Sequence, residues 1–370
     1  MAEPLKNSYG PEIPKRLADQ IARVSAKFNA KAFLREVMDG YLDLELMPRG
    51  RHIARVLARH LPADFPAAVD ILLRSLGENP QRNPEPGMSS FFYLPHCHFV
   101  AENGLAHFEE SMRAYHVLTK LFTAEFSIRP FLEKHEKRTL ARLHEWASDP
   151  DEHVRRLVSE GTRPRLPWAA RLRSFQKNPA PVLELLELLK DDPSEYVRRS
   201  VANNLNDIGK DHPRLLVQTA RRWLRGAGTQ RRRLIRHALR SAVKQGDPAA
   251  LHALGYGEKA AVTVQNAAIV PARVRVGGNV LLQFDLQSRS RSGQRVMVDF
   301  QVHFVKDGGR TRPKVFKLKA VELGPGEHAS FKKSVSLRKM TTRRHHPGKH
   351  RVDLLLNGAV YPLGAFDLLP

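Results

Sequence analysis

The run Asp149-Pro150-Asp151-Glu152-His153-Val154-Arg155-Arg156 returns 43 residues later as Asp192-Pro193-Ser194-Glu195-Tyr196-Val197-Arg198-Arg199. That offset is the period of a HEAT-type pair of helices. Asp-Pro predicts a helix start, with Asp as the cap and Pro at the first helical position, where no N–H is needed. Valine then faces inward while the adjacent arginines project. One pair cannot bury its own apolar face, so neighbours must stack, and a curved solenoid with arginines on its concave side is expected. A less regular third unit is read over 213–224 and 231–243.

Helical spacing extends the pattern from about residue 13 to 255. Leu17, Ile21, Val24 and Phe28 fall three and four apart, as do Ile53, Val56, Leu57 and His60 or Leu61. Residues 91–101, 108–122 and 131–147 continue it. The prolines and glycines between Gly77 and Ser90 predict a loop. After Gly255 the texture changes. Val262, Val264 and Ile269, then Val280, Leu282 and Phe284, then Val296, Val298, Phe300, Val302 and Phe304 predict strands with alternating sides. Glycine pairs at 277–278 and 308–309, Gly324-Pro325-Gly326 and Pro347-Gly348 punctuate them. About seven strands in this space suggest an immunoglobulin-like sandwich. The expected fold is therefore multidomain: an α-solenoid of HEAT-like repeats over 1–255, then a smaller all-β sandwich over 256–370.

The chain has 370 residues and a formal net charge of +23, which predicts a polyanionic partner: DNA, RNA or an anionic membrane surface. Residues 256–370 carry 20 Lys and Arg against 8 Asp and Glu, so the smaller domain holds more than half of that surplus. Its cations gather in loops, Arg310 and Arg312 in one and Arg343 and Arg344 in another. Cys97 is the single cysteine, which excludes an intramolecular disulfide and fits a reducing cytoplasm. No signal-like N-terminus or membrane-spanning apolar run is read. His96-Cys97-His98 has one-residue spacing and no second pair at finger-like distance, so a structural role is favoured over a metal site. No phosphate-cradling glycine loop or serine-elbow motif is found.

The first repeat runs on through Leu157-Val158-Ser159-Glu160-Gly161-Thr162-Arg163-Pro164-Arg165-Leu166-Pro167-Trp168. Gly161 and Pro164 predict the helix end, with Glu160 in its last turn among Arg155, Arg156, Arg163 and Arg165. A carboxylate among cations keeps its charge, and such an anion can stabilise positive charge developing on a sugar. Read alone, Glu160 is also an ordinary helix-end residue paired with arginine. Trp168 is either a platform for a sugar edge or cationic base, or a core anchor. Arg155, Arg156, Arg163, Arg165, Arg171, Arg173, Arg198 and Arg199 are candidate phosphate contacts, about half of them expected to form internal ion pairs instead.

This run, together with 122–131 (around Glu125) and 197–207 (ending at Asp207), resembles the AlkC-type bacterial alkylpurine DNA glycosylases, relatives of the AlkD glycosylases. The resemblance implies that Glu160 is catalytic, that Trp168 lines the lesion site, and that Glu125 and Asp207 are further acidic active-site positions. It implies hydrolysis of the N-glycosidic bond of cationic N-alkylated bases in duplex DNA, without flipping the base into a deep pocket. 3-Methyladenine is expected, and 3-methylcytosine and 1-methyladenine for the branch with the extra domain. No metal or organic cofactor is implied. The expected partner is double-stranded DNA, with no membrane and no obligate protein partner, for a monomer in the cytoplasm associated with the nucleoid. A non-catalytic HEAT scaffold binding nucleic acid or an acidic protein needs the arginines but not Glu160, and a membrane-surface adaptor would use the basic loops. Release of methylated base separates these readings.

Overall fold

The computed structural model describes residues 5–77, 89–257, 259–338 and 344–370. Helices occupy the first two thirds: α1 (Glu12–Val24), α2 (Ala30–Met38), α3 (Leu46–His60), α4 (Phe65–Arg74), α5 (Leu94–Asn103), α6 (Phe108–Leu121), α7 (Arg129–Lys134) and α8 (Glu136–Trp146). They continue with α9 (Glu152–Gly161), α10 (Arg173–Lys177), α11 (Ala180–Leu189), α12 (Glu195–Asp211), α13 (Pro213–Leu224), α14 (Thr229–Ala238), α15 (Arg240–Lys244) and α16 (Pro248–Ala253). Among the described residues eight strands follow: β1 (Val262–Val270), β2 (Arg273–Arg275), β3 (Asn279–Ser288), β4 (Gln294–Val305), β5 (Thr311–Leu323), β6 (His328–Ser336), β7 (Gly348–Leu356) and β8 (Ala359–Leu369). Most of the loop expected over 77–90, and Arg343, lie outside the described residues. No described helix is long and apolar enough to cross a membrane.

By compactness the chain divides into residues 1–211 and 212–370. The change from helix to strand falls later, between α16 and β1, so α13 to α16 group with the strands. In the first unit, α11 and α12 pack on α8 and α9, one helix pair on the next. Val154, Leu157 and Val158 of α9 and Val197, Val201 and Leu205 of α12 are buried at helical spacing.

The start of α9 departs from expectation. Its N-cap is Asp151, whose carboxylate accepts the His153 N–H at 2.8 Å, and Pro150 lies outside the helix. Asp149 instead accepts the Asp151 N–H at 2.8 Å. Arg155 donates to the carbonyls of Asp149 and Pro150 at 2.8 and 2.9 Å, which removes both from the helical ladder. The second copy repeats the arrangement. Asp192 accepts the Ser194 N–H at 2.8 Å, and Arg198 reaches the carbonyls of Asp192 and Pro193. The Asp-Pro pair is thus a turn held by an arginine six residues on, not the first residue of a helix.

The strands form a sandwich of two sheets, ordered β1-β3-β6 and β2-β8-β7-β4-β5. Against about seven strands expected, eight are described, and the shortest, β2, is three residues paired parallel to β8. Val280, Leu282, Phe284 and Leu286 of β3 face Val296, Val298, Phe300 and Val302 of β4 in one core, with Phe331, Val352, Leu354 and Phe366. A bulge between Val298 and Asp299 interrupts strict alternation in β4. The edge strand β5 carries Lys314, Lys317 and Lys319 outward, a composition that discourages pairing with another chain. Gly246, after α15, and Gly358, between β7 and β8, meet backbone to backbone. A Cβ on Gly358 would stand 2.7 Å from the Gly246 carbonyl oxygen. Both have positive φ, +74° and +80°, a conformation glycine adopts without strain.

Candidate active site

Four segments of the first unit converge. The turn between α6 and α7 brings Glu125, the last two turns of α9 bring Arg156 and Glu160, the loop 162–172 brings Arg163 and Trp168, and α12 brings Tyr196, Ser200 and Asp207. Arg156 and Glu160 are four apart on α9 and so share its face.

The charges alternate. Arg156 Nη1 lies 2.6 Å from Glu125 Oε2, and its Nη2 3.7 Å from Glu160 Oε1. Arg163 Nη1 lies 2.6 Å from the same Glu160 oxygen, while its Nε and Nη2 each stand 2.8 Å from Asp207 Oδ2. Lys210 ends the row, 2.7 Å from Asp207 Oδ1. Burial works against the charge of Arg156, but Glu125 and Glu160 more than offset it and hold its pKa above the ordinary arginine value. Arg163 is raised likewise, burial being outweighed by Glu160 and Asp207. Glu125, Glu160 and Asp207, the three acidic positions that the resemblance implied, are therefore members of a ladder of paired charges.

Glu160 is 5% exposed, and both its oxygens have donors: Arg163 on Oε1 and Ser200 Oγ on Oε2 at 2.5 Å. Glu125 is held by Thr123, whose hydroxyl donates to its Oε2 at 2.6 Å. A cleft of about 390 Å³ opens over both carboxylates, lined also by Arg156, Arg163, Phe91, Phe126, Tyr196 and Trp168. Asp207 is buried behind Arg163 and does not line this opening.

Trp168 is 71% exposed, with φ +64°. It is no core anchor; Trp146 and Trp223 are the buried tryptophans. The loop beneath it is held firmly. Arg129, buried, donates to the carbonyls of Gly161, Arg163 and Ala170 at 3.1, 2.9 and 2.5 Å. Burial lowers the pKa of this guanidinium to about 10. Leu166 and Leu172 anchor the loop in the core, and Asn204 reaches back to the Ser159 carbonyl at 2.7 Å. An exposed aromatic in left-handed backbone, on a loop fixed at both ends, is a strained conformation that packing of the indole does not explain.

The other candidate cations separate by environment. Arg155 pairs with Asp192 through Nε at 2.7 Å and Nη2 at 3.1 Å, besides its carbonyl contacts. Arg165 pairs with Asp211 at 2.8 and 2.5 Å. With Arg163 and Arg198 these guanidinium groups are occupied within the protein. Arg171, Arg173 and Arg199 are exposed in the first unit, and Arg310, Arg312 and Arg344 in the second. Within the second unit a cleft of about 820 Å³ is lined by Lys244, Lys306, Arg312 and Lys314, with no carboxylate among its described lining residues. His96, Cys97 and His98 are buried in α5.

Sequence reasoning passed over Ser200, Tyr196, Thr123 and Arg129. Ser200 stands at the repeat position of Leu157, and a hydroxyl where the first copy has a core leucine is a readable signal. Arg129 lay inside the Glu125 segment but carries no local sign of its three carbonyl partners.

A helical-repeat unit with an arginine–carboxylate cleft under an exposed tryptophan, followed by a basic sandwich, defines the class of protein. The DNA alkylation repair enzyme family matches residues 122–245, and the C-terminal Ig-like domain family of the uncharacterised protein YhaZ matches residues 263–370. The uncharacterized protein YhaZ of Bacillus subtilis is 35% identical over 357 residues, covering 96% of this chain and 97% of that protein. The Pseudomonas fluorescens alkylpurine DNA glycosylase AlkC, solved bound to DNA containing an abasic site analog, is 38% identical, with all of both chains covered and a TM-score of 0.92. The chain belongs to the AlkC-type DNA alkylation repair family, in the branch with a C-terminal Ig-like domain.

Proposed function

We propose that this protein is a DNA glycosylase that excises cationic N-alkylated bases from duplex DNA. The observation that carries the reading is the single opening shared by Glu125, Glu160 and Trp168. Its family supports the same activity.

In the reaction the bond between C1′ and the base nitrogen breaks. Its electron pair neutralises the positive base, and C1′ becomes oxocarbenium-like. Glu160, an anion fixed between Arg163 and Ser200, stabilises that charge without reorganising. Water then adds to C1′ and loses a proton. A base that is already cationic leaves without a dedicated acid. Trp168 offers a face to the sugar or base, and an open cleft of this kind suits a base that is not extruded into a deep pocket.

The exposed arginines Arg171, Arg173, Arg199, Arg310, Arg312 and Arg344 are the proposed phosphate contacts. Bending the duplex costs on the order of 1–6 kcal/mol, and contacts from the basic sandwich offset that cost. 3-Methyladenine, 3-methylcytosine and 1-methyladenine are the proposed substrates. Duplexes carrying one defined methylated base each test this: release of the free base supports the reading. Binding without release from any of them would leave a non-catalytic nucleic-acid scaffold.

A further inference from the structure

Arg156 sits among groups that bind cations of many kinds. Two carboxylates, Glu125 and Glu160, flank its guanidinium, and Tyr196 lies beneath it, with the ring centroid 5.0 Å from the guanidinium carbon. Carboxylates plus an aromatic face are what a site for a flat, delocalised organic cation offers. An N-alkylated nucleobase is a larger ion of that kind.

The neighbouring arginines differ in how they are held. Arg155 and Arg198 are locked onto backbone carbonyls. Arg163 is clamped between Glu160 and Asp207. Arg156 is held by side chains, those of Glu125, Glu160, Thr123 and Tyr196. Its side chain is 16% exposed and faces the opening, and Tyr196 is 38% exposed.

We propose that the Arg156 guanidinium is a resident stand-in for the lesion: it fills the niche of Glu125, Glu160 and Tyr196 in the unliganded protein and leaves when a positively charged methylated nucleotide enters. The identity of the incoming cation rests on the glycosylase reading; the niche itself does not. The exchange is charge for charge. An undamaged base brings no charge, so it cannot replace the guanidinium without taking from buried Glu125 the cation 2.6 Å away and leaving Glu160 to Arg163. The displaced arginine finds its new counter-ion in the phosphates of the duplex, which ties lesion entry to a tighter grip.

Calorimetric titration of the full-length protein with 1-methyladenosine, cationic at neutral pH, and with neutral adenosine tests the exchange. Arg156→Gln removes the competitor, so 1-methyladenosine should bind at least about threefold tighter than to wild type, with adenosine unchanged. Glu125→Gln should bind it more weakly. Arg156→Lys keeps a charge but loses the planar fork and the stacking, so it should show a smaller gain of the same sign. Equal or weaker binding in Arg156→Gln overturns the proposal; if that variant does not fold, absence of a gain in Arg156→Lys overturns it. Base release by the wild type is read separately. A gain without release removes the glycosylase reading and keeps the niche, whereas release without a gain does the reverse.

Discussion

Ser200 Oγ donates to Glu160 Oε2 at 2.5 Å, joining the last turn of α9 to the second turn of α12 across one repeat. The contact fixes the carboxylate from the side opposite Arg163. Glu160→Gln keeps shape and removes charge. It should slow single-turnover base release by about a hundredfold or more, corresponding to ~3 kcal/mol of transition-state stabilisation. Ser200→Ala leaves the charge but frees its orientation, and should cost about tenfold. Wild-type rates in Glu160→Gln would take this residue out of catalysis.

Trp168 combines 71% exposure with a φ of +64°. Trp168→Gly therefore relieves backbone strain and loses little packing. Thermal unfolding should show equal or higher stability, by about 1 kcal/mol, while excision slows and undamaged-duplex affinity changes less. A marked drop in melting temperature would mean that the indole supports the loop after all.

The occupied and exposed arginines should part in experiment. Arg155→Ala takes a donor from two carbonyls and leaves buried Asp192 without its guanidinium partner. It should cost about 1–3 kcal/mol in stability without altering the salt dependence of duplex binding. Arg199→Ala and Arg312→Ala should do the opposite, each lowering the slope of log affinity against log salt by about 0.9. Unchanged slopes in both exposed variants would remove them from the proposed interface.

Burial drives the pKa of His96 down to about 4, and burial with Arg51 and Arg55 does the same for His98. Below the ordinary imidazole value of 6.5 the unfolded chain takes up protons that the folded chain refuses. Stability should thus fall as pH drops from about 6.5 to about 4, and be flat above. Urea midpoints across this range should show the slope, and His96→Leu should reduce it. A slope unaffected by the substitution would assign it to other groups.

Local chemistry determined much of this protein from sequence. The repeat around Val154 and Val197 declared paired helices, because burial of one helix face imposes its spacing on any sequence that folds so. The alternation from Val280 to Phe304 declared strands for the same reason at period two. Gly161 and Pro164 marked the helix end that places Glu160. Sequence spacing could not say which arginines face solvent. Arg155 and Arg199 look alike in the chain, yet one is tied to Asp192 and the other is exposed. That difference depends on partners 37 residues away or more, such as Asp192 for Arg155 and Asp207 for Arg163. Likewise only the folded chain could set Tyr196 beneath Arg156, Ser200 against Glu160, and exposed Trp168 in the lining of the cleft that both carboxylates share. Side-chain periodicity reports which face of an element is buried; which charge meets which is decided when separate elements are brought to a few ångströms, where Coulomb and hydrogen-bond energies become strong enough to choose.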